Sequence, residues 1–304
     1  MKTVLITGGT GLVGKTLTKF LLQKGYHVII LSRKKNPSAN SDANIEFAQW
    51  NVDEQTVDIA AVQKADYIIH LAGAGVVDKK WTDSYKAEIR NSRTLSSKLL
   101  IDTLRDNTNK VKAVVSASAI GWYKPTDKLH TEDEPADESF LGETCKLWEE
   151  SVLPFAALDK RLVTLRIGIV LSNDGGALVE FKKPIRLGIA AILGTGKQIV
   201  SWIHINDLCN LFINAIENEQ WTGTYNAVAP TPVSNKELTL LLANKMKGKF
   251  FIPVHIPAFV LKIIMGNRSI EVLKSNEVSS TKVQRTGFEF LYPTCKEAVE
   301  DLCS

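Results

Sequence analysis

Length, composition and charge limit what this chain can be. It has 304 residues, of which 44% are hydrophobic and 23% charged, as in ordinary soluble globular proteins. The length accommodates one large α/β domain, alone or with a small appendage. A formal net charge of +4, without a long basic run, gives no reason to expect a nucleic-acid partner.

The cysteines, histidines and apolar stretches exclude further classes. The four cysteines and five histidines lack the spacing of metal ligands, so we expect reduced thiols and no metal site. The apolar start is a strand leading into a glycine turn rather than a secretion signal. Residues 250–265 are too short, and too interrupted by Pro253 and Pro257, to span a bilayer. We expect a cytoplasmic protein with a small-molecule substrate and no membrane partner, and leave a homodimer possible.

The first fourteen residues carry the most informative motif. An apolar run at residues 4–6 leads into a turn with Gly8, Gly11 and Gly14, and an amphipathic helical pattern follows. Glycines allow a tight turn and close approach to phosphates, and the helix N-terminus supplies free N–H groups. With a strand before it and a helix after it, the motif predicts a dinucleotide site. The alternative is a β-turn-α unit without a ligand. The predicted contacts are Gly8, Thr10, Gly11, Leu12, Val13 and Gly14.

Compact apolar runs alternate with helical patterns over the first two thirds of the chain. Predicted strands cover residues 3–7, 27–31, 67–71, 111–116 and 162–169, and predicted helices cover residues 12–24 and 81–104. This alternation predicts an α/β fold, a doubly wound parallel sheet (Rossmann fold) with right-handed crossovers. Ligands of such sheets bind beyond the carboxyl ends of the strands.

The regular alternation of strand and helix patterns ends after about Leu171. Residues 173–176 and 194–196 are loop signals, and smaller elements follow. We predict a dinucleotide-binding Rossmann domain with substrate-side insertions over residues 1–229. Residues 230–304 are predicted to form a smaller C-terminal cap on the substrate side.

The residues at the end of the second predicted strand indicate which form of the dinucleotide binds. An NAD-specific site places an Asp or Glu there, whereas this chain has Ser32, Arg33 and Lys34. A guanidinium and a hydroxyl bind a 2′-phosphate that a carboxylate would repel. The residues therefore favour NADP(H), the alternative being a solvated charge cluster.

The end of the third informative strand is rich in small residues. Leu71, Ala72 and Gly73 follow His70 and allow the backbone to pass close to the ribose and pyrophosphate of a cofactor. A tightly packed strand terminus would have the same composition.

These motifs resemble those of the extended short-chain dehydrogenase/reductase superfamily, which includes nucleotide-sugar epimerases and dehydratases. Residues 7–14 and 70–73 resemble its cofactor motifs, residues 116–118 the strand end that carries its catalytic serine, and residues 202–207 a late substrate-domain motif. More narrowly, the chain resembles an atypical branch labelled sugar-nucleotide epimerases or cell-division-inhibitor homologues. The motifs of that branch lie at residues 80–81, 88–93, 116–123, 148–149 and 166–171, with its small terminal domain at residues 251–302.

The resemblance implies roles for individual residues. Ser32 and Arg33 would hold the NADP phosphate, and Leu71 and Ala72 would line the cofactor. The remaining implied cofactor contacts are Glu88 and Arg93 at ribose or phosphate, Ser116, and Val170 near the nicotinamide. For Glu88 and Arg93, a helix surface pair is the alternative.

The superfamily tyrosine is missing. The resemblance implies a tyrosine that moves a proton and a lysine four residues later that lowers its pKa. Residues 140–149 contain no tyrosine; Lys146 keeps the place of the lysine, and Gly142 stands where the tyrosine belongs. We expect Tyr123 or Ser118 to transfer the proton, with Glu143 a weaker candidate. Tyr123 could instead only line the pocket.

These features favour an NADP(H)-dependent oxidoreductase or epimerase-like protein acting on a small carbonyl or sugar-nucleotide-like substrate. A non-catalytic NADP(H)-sensing or scaffold protein is the competing class, because the tyrosine is absent. Trp202, His204 and Asp207 either shape the substrate side or pack in the core.

Overall fold

The computed structural model describes residues 1–34 and 42–304. The strands, in chain order, are β1 Thr3–Thr7, β2 His27–Ser32, β3 Ile45–Asn51, β4 Thr56–Val57, β5 Tyr67–His70, β6 Ala113–Ala119, β7 Thr126–His130, β8 Arg161–Ile167, β9 Ile169–Leu171, β10 Ile189–Leu193, β11 Ile199–Val200, β12 Trp202–His204, β13 Gly223–Ala227, β14 Val233–Ser234, β15 Ile252–Ile256 and β16 Asn276–Val278. The α-helices are α1 Leu12–Gln23, α2 Ile59–Lys64, α3 Asp83–Asp106, α4 Phe140–Val152, α5 Pro154–Ala157, α6 Ala177–Arg186, α7 Ile205–Glu217, α8 Asn235–Lys247, α9 Ala258–Met265, α10 Ser269–Leu273, α11 Thr281–Gln284 and α12 Cys295–Leu302. Short 3₁₀ turns lie at Ile120–Trp122 and Gly266–Arg268.

Within the described residues, eight strands form the central sheet, in the order β13-β8-β6-β5-β1-β2-β3-β4. All neighbours pair in parallel except β3 and β4. The crossover from β1 to β2 runs toward one edge and that from β5 to β6 toward the other. Because such crossovers are right-handed, α1 and α3 cover opposite faces. The predicted doubly wound Rossmann sheet is confirmed.

The strand predictions hold best where a strand is buried on both faces. β1 has the predicted bounds, and Val4, Leu5 and Ile6 have no exposed surface. The single strand predicted over residues 162–169 is wrong at its end, because the chain breaks at Gly168 into β8 and β9. A Cβ built on Gly168 would lie 2.6 Å from the Ser201 carbonyl oxygen, so the close approach of β12 requires a glycine there.

A second hydrophobic core lies outside the central sheet. It is formed by buried residues of α6, β10, β12, α8 and α12, among them Leu178, Trp202, Leu238 and Val299. These residues come from both sides of the predicted boundary at 229/230, so the two stretches of chain pack against each other.

His204 and Asp207 connect the end of the chain to this interior. The buried Asp207 carboxylate accepts hydrogen bonds from the backbone N–H groups of Leu291 (2.8 Å) and Tyr292 (3.0 Å). His204 Nε2 lies 3.2 Å from an Asp301 oxygen, and its ring stacks on Tyr292. Of the two alternatives for Trp202, His204 and Asp207, the structure shows core packing.

Candidate functional site

The glycine turn between β1 and α1 is tightly constrained. Gly8 has φ +70°, and a Cβ there would lie 3.0 Å from the backbone carbonyl group of Leu71. A Cβ on Gly14 would lie 2.4 Å from the Gly8 carbonyl oxygen. The glycines thus allow the turn to close on the start of α1 and on the segment after β5. They leave a cradle of bare backbone at the carboxyl edge of the sheet.

The N-terminus of α1 meets this cradle. The first N–H groups of a helix have no partner inside it, and no described side chain caps this one at Gly11. Its first turn contains no acidic residue. The loop after β9 closes one side, since a Cβ on Gly176 would lie 3.2 Å from Leu12 Cδ2. Free N–H groups and the positive dipole end make this position suited to an anion.

A buried polar network supports the cradle from below. Thr7 Oγ1 accepts hydrogen bonds from the N–H groups of Leu71 and Ala72, both at 3.1 Å, so its proton is free for His70 Nδ1 at 2.8 Å. On the other side of the ring, the Ser97 hydroxyl donates to the Arg93 carbonyl oxygen and accepts from His70 Nε2. His70 is therefore neutral with its proton on Nε2. Burial, aided by the Arg93 charge, lowers the pKa of His70 to about 4.

Ser32, Arg33 and Lys34 lie beside the cradle at the end of β2. Gly9 packs under this strand, because a Cβ there would lie 2.8 Å from Ile30 Cγ2. The Ser32 hydroxyl accepts a hydrogen bond from the Lys34 N–H group, and the Arg33 and Lys34 side chains are exposed. Two cations and a hydroxyl thus stand where an NAD site has a carboxylate.

Glu88 and Arg93 do not pair with each other. Glu88 is on the surface and forms an ion pair with Lys79 at 3.2 Å. Arg93 is buried against Gly73, and its Nη1 donates to the carbonyl oxygens of Ala74 (3.1 Å) and Ile89 (2.8 Å). Burial lowers the pKa of Arg93, which has no carboxylate within ion-pair distance in residues 1–34 and 42–304. The surface-pair alternative is wrong for Arg93, which holds the segment after β5 against α3.

Ser118 ends β6 in a buried charged cluster. Its hydroxyl donates to Glu149 Oε1 at 2.6 Å, and the Arg166 guanidinium holds both oxygens of that carboxylate, with Nε at 2.8 Å and Nη2 at 3.0 Å. The Arg166 guanidinium also stacks on Trp122. Ser116, two residues earlier, is fully buried and donates to the Ala117 carbonyl oxygen.

Tyr123 belongs to the same cluster but has no exposed surface. Its hydroxyl donates to Asn226 Oδ1 at 2.7 Å and accepts from Arg166 Nη1 at 3.0 Å, and its ring stacks on His130. Burial raises the pKa of Tyr123 to about 12. Each of these contacts favours a structural position over a group that meets substrate.

The face of α4 that points to the sheet differs from the expected one. Lys146 faces outward, with its side chain 58% exposed and 3.9 Å from Glu150, and Glu143 pairs with Arg90 on the surface. The inward residues at this spacing are Leu141 and Cys145: a Cβ on Gly121 would lie 3.4 Å from Leu141 Cβ and 3.5 Å from Cys145 Sγ. Burial raises the pKa of the Cys145 thiol to about 12. Neither inward residue offers the proton chemistry of a tyrosine-lysine pair.

The structure adds Glu149, Arg166, Leu141 and Cys145 to the candidate site. Glu149 and Arg166 lie in two motifs of the atypical branch, at residues 148–149 and 166–171, for which the resemblance implies no individual roles. The amphipathic spacing of α4, with Leu141, Cys145, Trp148 and Val152 on one side, was the signal that could have identified the inward face. Val170 lies half-buried in β9, next to the loop that contacts Leu12.

Comparisons with known proteins agree with this architecture. The model of the NAD dependent epimerase/dehydratase family matches residues 4–227, and a domain of unknown function, DUF1731, matches residues 256–302. The epimerase family protein SSP1921 of Staphylococcus saprophyticus is 36% identical over 309 aligned positions, covering 99% of each chain. The epimerase family protein SH2119 of Staphylococcus haemolyticus is 35% identical, also with 99% of each chain covered.

Two solved structures also resemble this chain over 99% of its length. Human epimerase family protein SDR39U1 (isoform 2), crystallised with NADPH, superposes with a TM-score of 0.87 at 28% identity over 99% of both chains. A nucleoside-diphosphate sugar epimerase from Corynebacterium glutamicum has a TM-score of 0.79 at 30% identity, covering 99% of this chain and 58% of that one. From its glycine turn, its doubly wound sheet and these matches, the chain belongs to the NAD-dependent epimerase/dehydratase family of the short-chain dehydrogenase/reductase superfamily.

Proposed function

We propose that this protein is an NADP(H)-dependent oxidoreductase of the atypical short-chain type, acting on a small carbonyl compound or the corresponding alcohol. The observation that carries the proposal is the cradle at the carboxyl edge of β1. It combines an uncapped helix N-terminus with exposed cations at the end of β2.

The residues present fit an NADP(H) molecule. The tight turn at Gly8, Gly11 and Gly14 would let a pyrophosphate approach the α1 N-terminus, because these positions carry no side chains. Ser32, Arg33 and Lys34 would bind the 2′-phosphate. The remaining proposed contacts are Thr10, Leu12, Val13, Leu71, Ala72, Gly73, Ser116 and Val170. When bound, the reduced nicotinamide supplies a hydride to a carbonyl carbon.

Arg93 acts on this site indirectly. Its guanidinium fills the space beside Gly73 and fixes the Ala74 carbonyl group, so that the backbone lining the cofactor has one position. We assign Arg93 as a positioning residue, and we assign no cofactor contact to the exposed Glu88.

Ser118 is the group that we propose for proton transfer. A substrate hydroxyl would lose its proton to Ser118 Oγ while the Ser118 proton passes to Glu149 Oε1, and reduction would run the transfer in reverse. The bidentate contact with Arg166 fixes the carboxylate for this exchange. Tyr123 and Lys146 have no part in the proposal. The Tyr123 hydroxyl donates to the Asn226 amide oxygen rather than to a carboxylate that could take its proton, and Lys146 faces outward.

The test is to incubate the protein with NADPH and a panel of aldehydes, ketones and keto sugars while following the absorbance of NADPH. We expect turnover with at least one carbonyl class, and Ser118→Ala should lower kcat while leaving NADPH affinity unchanged. Lys146→Ala is the matched control and should leave both unchanged, since its side chain faces outward. Equal kcat for Ser118→Ala and the parent protein would overturn the role of Ser118.

A non-catalytic NADP(H) sensor is the second candidate. Its support is the pair of inward residues Leu141 and Cys145, together with the burial of Ser118. NADPH binding with no oxidation across the whole panel would select the sensor and overturn the oxidoreductase.

A further inference from the structure

One stretch of the C-terminal part is both cationic and apolar. Residues 245–268 contain four lysines and an arginine but no aspartate or glutamate. The same stretch contributes several of the largest exposed apolar side chains of the protein, including Phe250, which is 87% exposed. It is not needed for the cradle or for the charged cluster at Ser118.

The small sheet of β10 and β15 has one apolar face without a cover. In its parallel register, Ile189 pairs with Ile252 and Ala191 with Val254, so these residues share a face. The opposite face carries Ala190 and Ile192, which are both buried, Ala190 within the second core. The face with Ile189 and Ile252 is therefore turned away from the core, and Ile252 is 69% exposed.

Helix α9 also exposes apolar side chains. It begins directly after β15, and Leu261 is its one buried residue among those described. Phe259, Ile263 and Ile264 are exposed, Ile263 by 79%. Large exposed side chains of this kind present on the order of 100 Å² each, and monomeric proteins rarely expose apolar patches beyond a few hundred Å². We call the exposed apolar residues of β10, β15 and α9, together with Phe250 just before β15, the apolar patch; they are Ile189, Phe250, Ile252, Val254, Phe259, Ile263 and Ile264.

Cations accompany the apolar patch. Lys245, Lys247 and Lys249 lie at the end of α8 and just before β15, and Lys262 lies within α9. None of the four forms an ion pair within the part of the chain that the structure describes. A second copy of the chain would bring lysines of like charge together around the patch, which opposes self-association. An anionic lipid surface complements both the charge and the apolar side chains.

We propose that the apolar patch and its lysines form a peripheral binding surface for anionic lipid bilayers. Such a segment lies in the headgroup region and does not cross the membrane. Among the described residues, no helix is long and apolar enough to span a bilayer. The expectation of no membrane partner rested on the lack of a spanning segment, which surface binding does not require. Arg268, just beyond α9, donates to the Val77 carbonyl oxygen, so this surface adjoins the loop after β5.

The test is co-sedimentation of the full chain with unilamellar vesicles. We expect binding to phosphatidylcholine vesicles that contain about a third phosphatidylglycerol, and at least roughly tenfold weaker binding to phosphatidylcholine alone. Binding should weaken as salt rises, because the lysine contribution is screened. Equal binding to both vesicle types, or no binding to either, would overturn the proposal.

Two variants show whether a loss of lipid binding comes from the altered surface or from unfolding. The double variant Ile263→Glu/Ile264→Glu should bind anionic vesicles at least roughly tenfold more weakly and retain the far-ultraviolet circular dichroism spectrum of the parent protein. Leu153→Glu, at an exposed apolar position after α4, is the matched control and should bind like the parent.

Light scattering without lipid tests whether a second copy of the chain covers the apolar patch instead. We expect the same mass for the parent and the double variant. A dimer in the parent that the double variant loses would assign the patch to a second copy and overturn lipid binding.

Discussion

The Ser118 hydroxyl and the Glu149 carboxylate are joined by a hydrogen bond of 2.6 Å at the end of β6. Arg166 holds the same carboxylate through two nitrogens, so a serine, an acid and a base from three elements form one buried unit. The cluster occupies the strand end that resembles the serine position of the superfamily. Its charges balance internally, which is the condition for burying them.

Glu149→Gln should destabilise the protein much more than Ser118→Ala. Without the carboxylate, Arg166 is left as a buried and uncompensated cation, which costs about 3–5 kcal/mol of unfolding free energy. Removing the serine hydroxyl leaves the ion pair intact and costs about 1 kcal/mol. Urea denaturation of both variants measures the difference. Similar losses in the two variants would contradict the assignment of Glu149 as the counter-charge of Arg166.

Gly14→Ala should damage the cradle more than Gly11→Ala. The added methyl would lie 2.4 Å from the Gly8 carbonyl oxygen in the first case and 3.2 Å in the second, where φ is −79°. We expect Gly14→Ala to lose about 1–3 kcal/mol of stability and most of its affinity for NADPH. Thermal denaturation and NADPH fluorescence check the two effects. A Gly14→Ala protein with parental stability and affinity would show that the turn is not closely packed.

His70 should stay neutral in the folded protein until the pH approaches 4. Its pKa is lowered to about 4 from an ordinary value near 6.5, so the unfolded chain takes up the proton first as the pH falls. The free energy of unfolding therefore decreases between pH 6.5 and 4, by about 3 kcal/mol from this residue in total.

Nitrogen-15 NMR of the histidine rings reports both the pKa and the tautomer of His70. We expect the proton on Nε2 at neutral pH, and the His70→Gln variant should lack this part of the pH dependence. A ring that titrates near pH 6.5 would contradict the buried network.

Asp207→Ala should release the end of the chain. The carboxylate is the partner of two backbone N–H groups, those of Leu291 and Tyr292, and both would lose their acceptor. We expect the free energy of unfolding to fall by about 2–3 kcal/mol and proteolysis near residue 291 to become faster. Asp301→Ala, whose side chain is 44% exposed, serves as the comparison and should be milder. Unchanged cleavage at this segment would argue against Asp207 as its anchor.

The parts of the structure that could be predicted from the sequence are those specified locally. Residues 3–7 form β1 as predicted because an apolar run buried on both faces ends at a glycine turn. The short strands β9 and β14 are specified less locally, because β9 pairs with β12 and β14 with β11, each a separate stretch of the chain. Ser118 and Glu149 are far apart in the sequence, and only the packing of α4 against β6 brings them together.

The face of α4 was missed for a geometric reason. The resemblance gives Lys146 the place of the lysine, whereas in the structure Cys145 faces inward and Lys146 faces outward. One residue turns a side chain by about 100° around a helix, which is enough to exchange an inward for an outward position. The hydrophobic pattern of the helix, rather than the count, identifies its buried side.

Isothermal titration calorimetry with NADPH and NADH is the most direct test of the cofactor site. We expect NADPH to bind roughly tenfold to a hundredfold more tightly than NADH, and Arg33→Ala to remove most of that difference without weakening NADH binding. Equal affinities for the two cofactors, or no heat with either of them, would contradict the assignment of the glycine turn and Arg33 as an NADP(H) site.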